Sequence, residues 1–407
     1  MSIKELTIEE FSAFASTNQL RNYMQSVEYG RFMGENGYNY EYLGLVDDDG
    51  IKAAALIGIK KLGHGTYYGY APKGFLINYY DENLLSTFVN KLKFYYSKKG
   101  VVFIKINPEI VVAQYNNKTF DYYPNANLKL KQDLPKFGFR KLKDNLYFES
   151  INPRFNAYVD LKKVNPDLFS KANRNKIRNA KRKGLYLSVG SDEDLAVLHN
   201  MIDTKESFGY YKNLYNIFGK DKIEILFVRV NYEQYIKKGQ ELYDEELNHN
   251  ALLNEILHRS RNQADLNAKK ASDSKLCLLK NEIVMATEGL KNNNDAIVAA
   301  ALIIKYENRV HIVESGFAKE TAALNANYFL YDAIINRYKD DYDFLDLNGI
   351  VGDFKGRNPY SGLNRFKLGF NPLIYEYIGE WDLVLKENLY KYLLASGKLA
   401  QEFNKRD

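Results

Sequence analysis

The densest positive segment of the chain is Lys171-Ala172-Asn173-Arg174-Asn175-Lys176-Ile177-Arg178-Asn179-Ala180-Lys181-Arg182-Lys183-Gly184, which holds no acidic residue. Read as a helix stopped by Gly184, it sets Lys171, Arg174, Arg178 and Lys181 three and four residues apart on one side. Such a row of cations can meet phosphate oxygens at several positions. The phosphates could belong to a nucleic acid or to a nucleotide- or lipid-linked sugar. A solvated helix face would use the same residues with no ligand.

A second cluster lies near the C-terminus. Asp346-Leu347-Asn348-Gly349-Ile350-Val351-Gly352-Asp353-Phe354 reads as a strand running into a glycine-rich turn. Leu363-Asn364-Arg365-Phe366-Lys367-Leu368-Gly369-Phe370 follows, then Tyr375-Glu376-Tyr377-Ile378-Gly379-Glu380-Trp381. As bare residues these are two tight turns around a short helix and a final strand. Lys367 is then a cation in a turn, with Arg365 beside it.

Other chemistry has no pattern here. The histidines stand far apart at 64, 199, 249, 258 and 311, and Cys277 is the single cysteine, so no metal-ligand spacing occurs. No phosphate loop, nucleophile elbow or dinucleotide fingerprint is present. No cofactor or metal is therefore expected, and catalysis would rest on positioning and electrostatics.

The elements that must hold these residues repeat. Ala53-Ala54-Ala55-Leu56-Ile57-Gly58-Ile59-Lys60 is nearly matched by Ala299-Ala300-Ala301-Leu302-Ile303-Ile304-Lys305, each after a polar turn. Lys73-Gly74-Phe75, a helix near Asn83–Lys98 and a strand Val101–Ile106 follow the first run. Ser315-Gly316-Phe317, a helix near Ala322–Tyr338 and a strand Phe344–Leu347 follow the second. Leu84, Leu85, Phe88, Val89, Leu92 and Phe94 mark the buried face of the first helix, and Tyr328, Phe329, Tyr331, Ile334 and Ile335 that of the second. The order predicts a duplicated α/β module with helices on a mixed sheet. Within the second copy, 232–290 carries only a thin apolar stripe (Tyr232, Tyr235, Ile236, then Leu276, Leu279, Ile283) on either side of a polar turn near Ser260–Asp265. That suits two long helices paired as an antiparallel coiled-coil arm. The arm could contact a large partner or be a solvated hairpin.

Length and composition agree. A chain of 407 residues suggests more than one domain, and 27% charged with 45% hydrophobic residues is that of a globular protein. The single cysteine, the absence of an apolar signal core in Met1–Glu5 and the lack of a run of roughly 18 apolar residues predict a cytoplasmic protein, with any membrane contact peripheral. A net charge of +6 decides little by itself.

Taken together, these motifs resemble the FemABX family of tRNA-dependent peptidoglycan aminoacyltransferases. The strand ending in Asn348-Gly349-Ile350, the Leu363 to Phe370 run and Glu376-Tyr377-Ile378-Gly379 look like its C-terminal motifs. Gln25-Ser26 with Tyr29 is similar to its "Q-S-x-x-W", Lys73-Gly74 to its "R-G-P", and Tyr210-Tyr211-Lys212-Asn213-Leu214-Tyr215 also matches. The resemblance spans the chain, duplication and arm included. It implies an α/β fold of two tandem acetyltransferase-like (GNAT-like) modules, 1–153 and 154–231 with 291–407, and an arm at 232–290. It implies transfer of an amino acid from aminoacyl-tRNA to an amine of a lipid-linked or UDP-linked muropeptide, by aminolysis of an ester.

In the family the lysine of "F-K-x-G-F" stabilises the oxyanion. The resemblance places that role on Lys367, with Arg365 as a neighbouring candidate. It places muropeptide binding on Arg31, Lys73, Asn107, Tyr211 and Tyr215, with Ser315 and Gly316 at the matching place in the second copy. Lys171, Arg174, Arg178 and Lys181 would meet phosphates. Several positions depart from the pattern. Met33 stands where the family has an acceptor-binding lysine, leaving Arg31 as the nearest cation. Asn107 and Asn78 replace aspartates, and the short loop Thr204–Gly209 has no arginine. A tRNA-binding homologue without transfer, or an acyl-CoA-dependent N-acyltransferase, are the alternatives.

Overall fold

The computed structural model describes residues 1–63, 65–141, 144–147, 152–259 and 262–399. His64, and Ser260 and Arg261 of the polar turn expected in the arm, lie outside the described residues.

The first half opens with five strands: β1 (Ser2–Glu5), β2 (Asn39–Asp47), β3 (Gly50–Gly63), β4 (Thr66–Ala71) and β5 (Val101–Ile106). Then come β6 (Val111–Tyr115), β7 (Tyr122–Pro124) and β8 (Phe139–Arg140). The second half holds β9 (Phe155–Asp160), β10 (Leu185–Gly190), β11 (Ile223–Asn231), β12 (Asp295–Tyr306), β13 (Arg309–Phe317), β14 (Phe344–Ile350), β15 (Leu373–Tyr377) and β16 (Trp381–Val384).

The duplication is plain in the pairing. β1 to β4 are antiparallel neighbours, and β5 lies parallel to β4. The helix Glu82–Tyr96 makes that crossover. β10 to β13 and β14 repeat the pattern, with the helix Ala326–Tyr338 as the crossover. Both alanine runs sit centrally, in β3 and β12, and are fully buried. Each is flanked by strands on both sides and covered by helices, so only small side chains let the layers close.

Asp81 caps the first crossover helix by accepting from the Leu84 N–H, and Leu85, Phe88, Val89, Leu92 and Tyr96 bury its inner face. Phe94, expected on that face, is 81% exposed; the buried aromatic of the last turn is Tyr96, two residues on. Two residues rotate about 200° around a helix, which puts one of the pair outside.

The sheets exchange strands. The chain leaves β5 through Asn107–Ile110 and enters the second sheet as β6 and β7. It returns from β15 through Ile378–Glu380 and joins the first sheet as β16, between β5 and β8. The crossings lie side by side, with the Ile378 N–H donating to the Ile110 carbonyl at 2.9 Å. A cut of the chain near residue 153 therefore does not separate the two sheets.

The arm is an antiparallel pair, Tyr232–Arg259 and Gln263–Asn292. It replaces a hairpin turn: Asn231 pairs with Asp295 across β11 and β12, just as Asp47 pairs with Gly50 across a two-residue turn in the first module. The sheet keeps its register whether the insert is long or short. Midway along the arm the contact is polar. Ser272 donates to Glu246 at 2.6 Å and Asn250 donates to Ser272 at 3.0 Å, all three buried. At the base Glu282 pairs with Arg182 and Lys183, at 3.0 and 3.1 Å.

Candidate active site

The site grows from the end of β14. Its ladder with β9 is interrupted between Asp346 and Gly349, and Asn348 takes a left-handed φ of 67°. The helix Ser361–Leu368 folds back over this end. Asn364 bolts it down, accepting from the Val351 N–H at 2.9 Å and donating to the Val351 carbonyl at 2.7 Å. Lys367, one turn further on the same face, is 7% exposed and donates to the Gly349 carbonyl at 2.8 Å. Burial pushes its ammonium down to about 8, against the opposing pull of Asp346 and Glu314.

Arg365 lies two residues from Lys367 and is exposed. The structure does not bring it to the buried lysine.

Beneath Lys367 lies a row of charged and polar side chains at the crossing of the sheets. Lys73 has φ 54°, its N–H donates to Asn107 Oδ1 at 2.9 Å, and its Nζ is 3.3 Å from Glu109. Arg309 of β13 meets the other Glu109 oxygen at 2.9 Å. Burial raises the Glu109 carboxyl, but Lys73 and Arg309 outweigh it and hold the group below its ordinary value. The Tyr158 hydroxyl lies 3.4 Å from Glu109 and 3.2 Å from Asp346, within reach to donate its one proton to either. Asp346 also meets His311 at 3.2 Å and accepts from the Asn348 N–H at 2.7 Å. Burial likewise raises its carboxyl, and these partners prevail and lower it.

Other expected residues are sorted by the fold. Tyr211 donates to Glu314 at 3.4 Å and shares a 2.8 Å hydrogen bond with Thr204; Ser315 meets the Tyr331 hydroxyl at 3.1 Å. Both belong to the neighbourhood of Lys367 through Glu314. Tyr215 instead packs in the apolar cluster of Leu195, Leu198 and Phe218, and its charged neighbours are Asp192, Asp194 and Glu224. Gly316 serves packing, since a Cβ there would stand 1.9 Å from the Met201 carbonyl oxygen.

Arg31 is exposed, while Met33 is buried against Gly58 on the other side of their helix. Arg31 cannot occupy the place of Met33. Gln25 accepts from the Leu56 N–H and donates to the Leu56 and Pro72 carbonyls, and Ser26 caps its helix. That motif braces the Lys73 turn.

The basic helix forms over Lys171–Arg182, with Ser170 as its cap and Gly184 at φ 72° beyond its end. Lys171, Arg174, Arg178 and Lys181 share an exposed face, with Lys181 held by Asp332 at 2.7 Å. The helix is tied to that of Lys367. Asn173 donates to the Phe366 carbonyl at 3.1 Å, and the Ser170 N–H donates to the Gly369 carbonyl at 2.8 Å.

Glu109, Arg309, Asp346, His311 and Tyr158 received no role from the sequence. Their trace was present: Arg309-Val310-His311-Ile312 and Leu345-Asp346-Leu347 put charged or polar residues at alternate places of otherwise apolar strands. Such residues have to find buried partners. Among the described residues no group of histidine, cysteine or carboxylate side chains could hold a metal ion, and no helix is long and apolar enough to cross a membrane.

Two sheets of one repeated topology, exchanging strands over a buried lysine, define a protein of tandem acetyltransferase-like modules. Residues 6–396 match the FemAB family, and the chain belongs to it. It is 23% identical to the aminoacyltransferase FemA of Staphylococcus aureus strain MW2, over 98% of this chain and 99% of that one. FemA of strain COL gives the same figures. The crystal structure of FemX superposes with a TM-score of 0.74 at 19% identity, covering 97% of this chain and all of FemX.

Proposed function

We propose that this protein is a tRNA-dependent aminoacyltransferase of peptidoglycan bridge synthesis. It would move an amino acid from aminoacyl-tRNA to a stem-peptide or bridge amine of a lipid-linked or UDP-linked muropeptide. Membership of the family and similarity to FemA along the whole chain support the reaction class. The observation that carries the mechanism is Lys367, a buried cation on the folded-back helix Ser361–Leu368, fixed to the Gly349 carbonyl at the end of β14.

The chemistry is aminolysis of an ester. The amine attacks the carbonyl carbon, negative charge develops on its oxygen, and the C–O bond to the ribose breaks. Lys367 has three N–H donors, one of which goes to Gly349. The others have no partner among the described residues and can meet the oxyanion, a charge present only on the way to the transition state. Its low-dielectric setting makes that contact stronger than in water.

Lys171, Arg174 and Arg178 offer phosphate contacts, and the ties from Asn173 and Ser170 hold them in fixed relation to Lys367. Lys73, Asn107, Tyr211 and Ser315 would help to bind the muropeptide.

The test is an assay with mixed charged tRNAs and both kinds of acceptor, read by mass spectrometry. Addition of one amino acid mass to the acceptor supports the proposal. Salt-sensitive tRNA binding without transfer would favour the second reading, a binding homologue, which the core placement of Met33 motivates.

A further inference from the structure

His311 and Asp346 are paired neighbours in register across β13 and β14. His311 Nδ1 lies 3.2 Å from Asp346 Oδ2. An ionised carboxylate only accepts, so the N–H sits on Nδ1, and a ring with one proton carries its lone pair on Nε2. His311 is 3% exposed, and Nε2 has no hydrogen-bond partner among the described residues. Asn156 has the same character: its Nδ2 donates to Asp346 at 3.4 Å, and its buried Oδ1 meets no donor among the described residues.

Two orphaned acceptors thus flank one carboxylate. Each costs about 1–3 kcal/mol while unsatisfied. Leucine or phenylalanine would serve a plain core position better. The groups facing His311 are Asp346 on β14, Tyr23 from the first module, with ring centroids 4.9 Å apart, and Tyr158 behind Asp346. Glu109, Arg309 and Lys73 lie beyond Tyr158, and Lys367 and Glu314 complete the charged surroundings of Asp346 and Tyr23.

We propose that the His311–Asp346 pair is the proton acceptor for a primary amine substrate, received at the seam between the modules beside Asn156. The assignment rests on the transferase reading. His311 Nε2 takes a proton from the incoming ammonium, and the freed lone pair forms the C–N bond. As the oxyanion's electron pair restores the C=O and the C–O bond breaks, the nitrogen's second proton passes to the leaving oxygen. Asp346 keeps the ring in the required tautomer and stabilises the imidazolium. Lys367 meets the oxyanion, so the proton acceptor lies on two neighbouring strands and the oxyanion's partner on a helix.

The experiment has two arms on the full chain. In the first, imidazole ¹⁵N spectra are compared for the wild type and His311→Gln, which identifies the His311 signals. The expected result is an Nδ1–H, Nε2 lone-pair tautomer whose Nε2 signal moves when methylamine is added. The opposite tautomer, or no response to methylamine, overturns the proposal. In the second arm transfer is measured. His311→Gln should lower kcat roughly 100-fold, with KM for the acceptor within about threefold and the melting temperature retained. Unchanged kcat overturns it. A wild type that transfers nothing overturns the functional reading instead, and the spectroscopic arm then decides the amine site by itself.

Discussion

Lys367 Nζ donates to the Gly349 carbonyl at 2.8 Å, although the two residues lie on different elements, a short helix and the end of a strand. This contact fixes a desolvated cation at the point where β14 leaves the sheet. Arg365, on the same helix, points to solvent. Lys367→Met should therefore lower transfer by about 100-fold or more, in the range for loss of an oxyanion partner. Arg365→Ala should stay within about threefold. Initial rates with charged tRNA check both.

The same burial makes a statement about stability. The lysine at about 8 in the fold would titrate at 10.5 when unfolded. Between those values the unfolded chain binds more proton, so stability rises with pH across that window. At pH 7 the buried charge costs on the order of 3 kcal/mol before its hydrogen bond is counted. Lys367→Met should consequently melt no lower than the wild type, so its lost activity cannot be a folding defect. Thermal melts at pH 7 read this directly.

Activity should run the other way with pH. As Lys367 loses its proton near pH 8, the oxyanion loses its partner and the rate should fall. In Lys367→Arg the guanidinium stays charged, so whatever activity survives should lack that alkaline fall. A pH–rate profile of both proteins from 6 to about 10 tests it.

Glu109 holds two cations, Lys73 from the first module and Arg309 from the second. Glu109→Gln removes the carboxylate that both cations pair with directly and leaves the more distant Asp346 as their countercharge, at a cost of up to about 3–5 kcal/mol. Urea unfolding should show the midpoint shifted down accordingly.

On the basic helix, Lys181 already faces Asp332 at 2.7 Å. Lys171→Gln, Arg174→Gln and Arg178→Gln should each weaken tRNA binding and reduce the slope against log salt by somewhat under one. Lys181→Gln should change it less. Filter binding over a salt series separates them.

Much of this was legible in the residues. The alanine runs of β3 and β12 betrayed the duplication because buried central strands need small, apolar side chains. The arm showed as a thin stripe, and Gly184 marked the end of the basic helix. The strand exchange was not legible: β6 pairs with β15 some 260 positions away (Tyr115 with Ile374), and no local pattern encodes such a partner. Arg31 and Arg365 are exposed, each two residues from a buried neighbour, Met33 and Lys367, because nearness in sequence is not nearness on a helix. His311 and Asp346 were visible as polar residues in apolar strands, but only the register of β13 against β14 joins them.

The most direct measurement is a single comparison, wild type against Lys367→Met, in an assay with charged tRNA and a muropeptide acceptor followed by mass spectrometry. A product one aminoacyl residue heavier with the wild type, nearly absent with a Lys367→Met variant that is fully folded, is the predicted result. Undiminished transfer by that variant would contradict the placing of the oxyanion at Lys367.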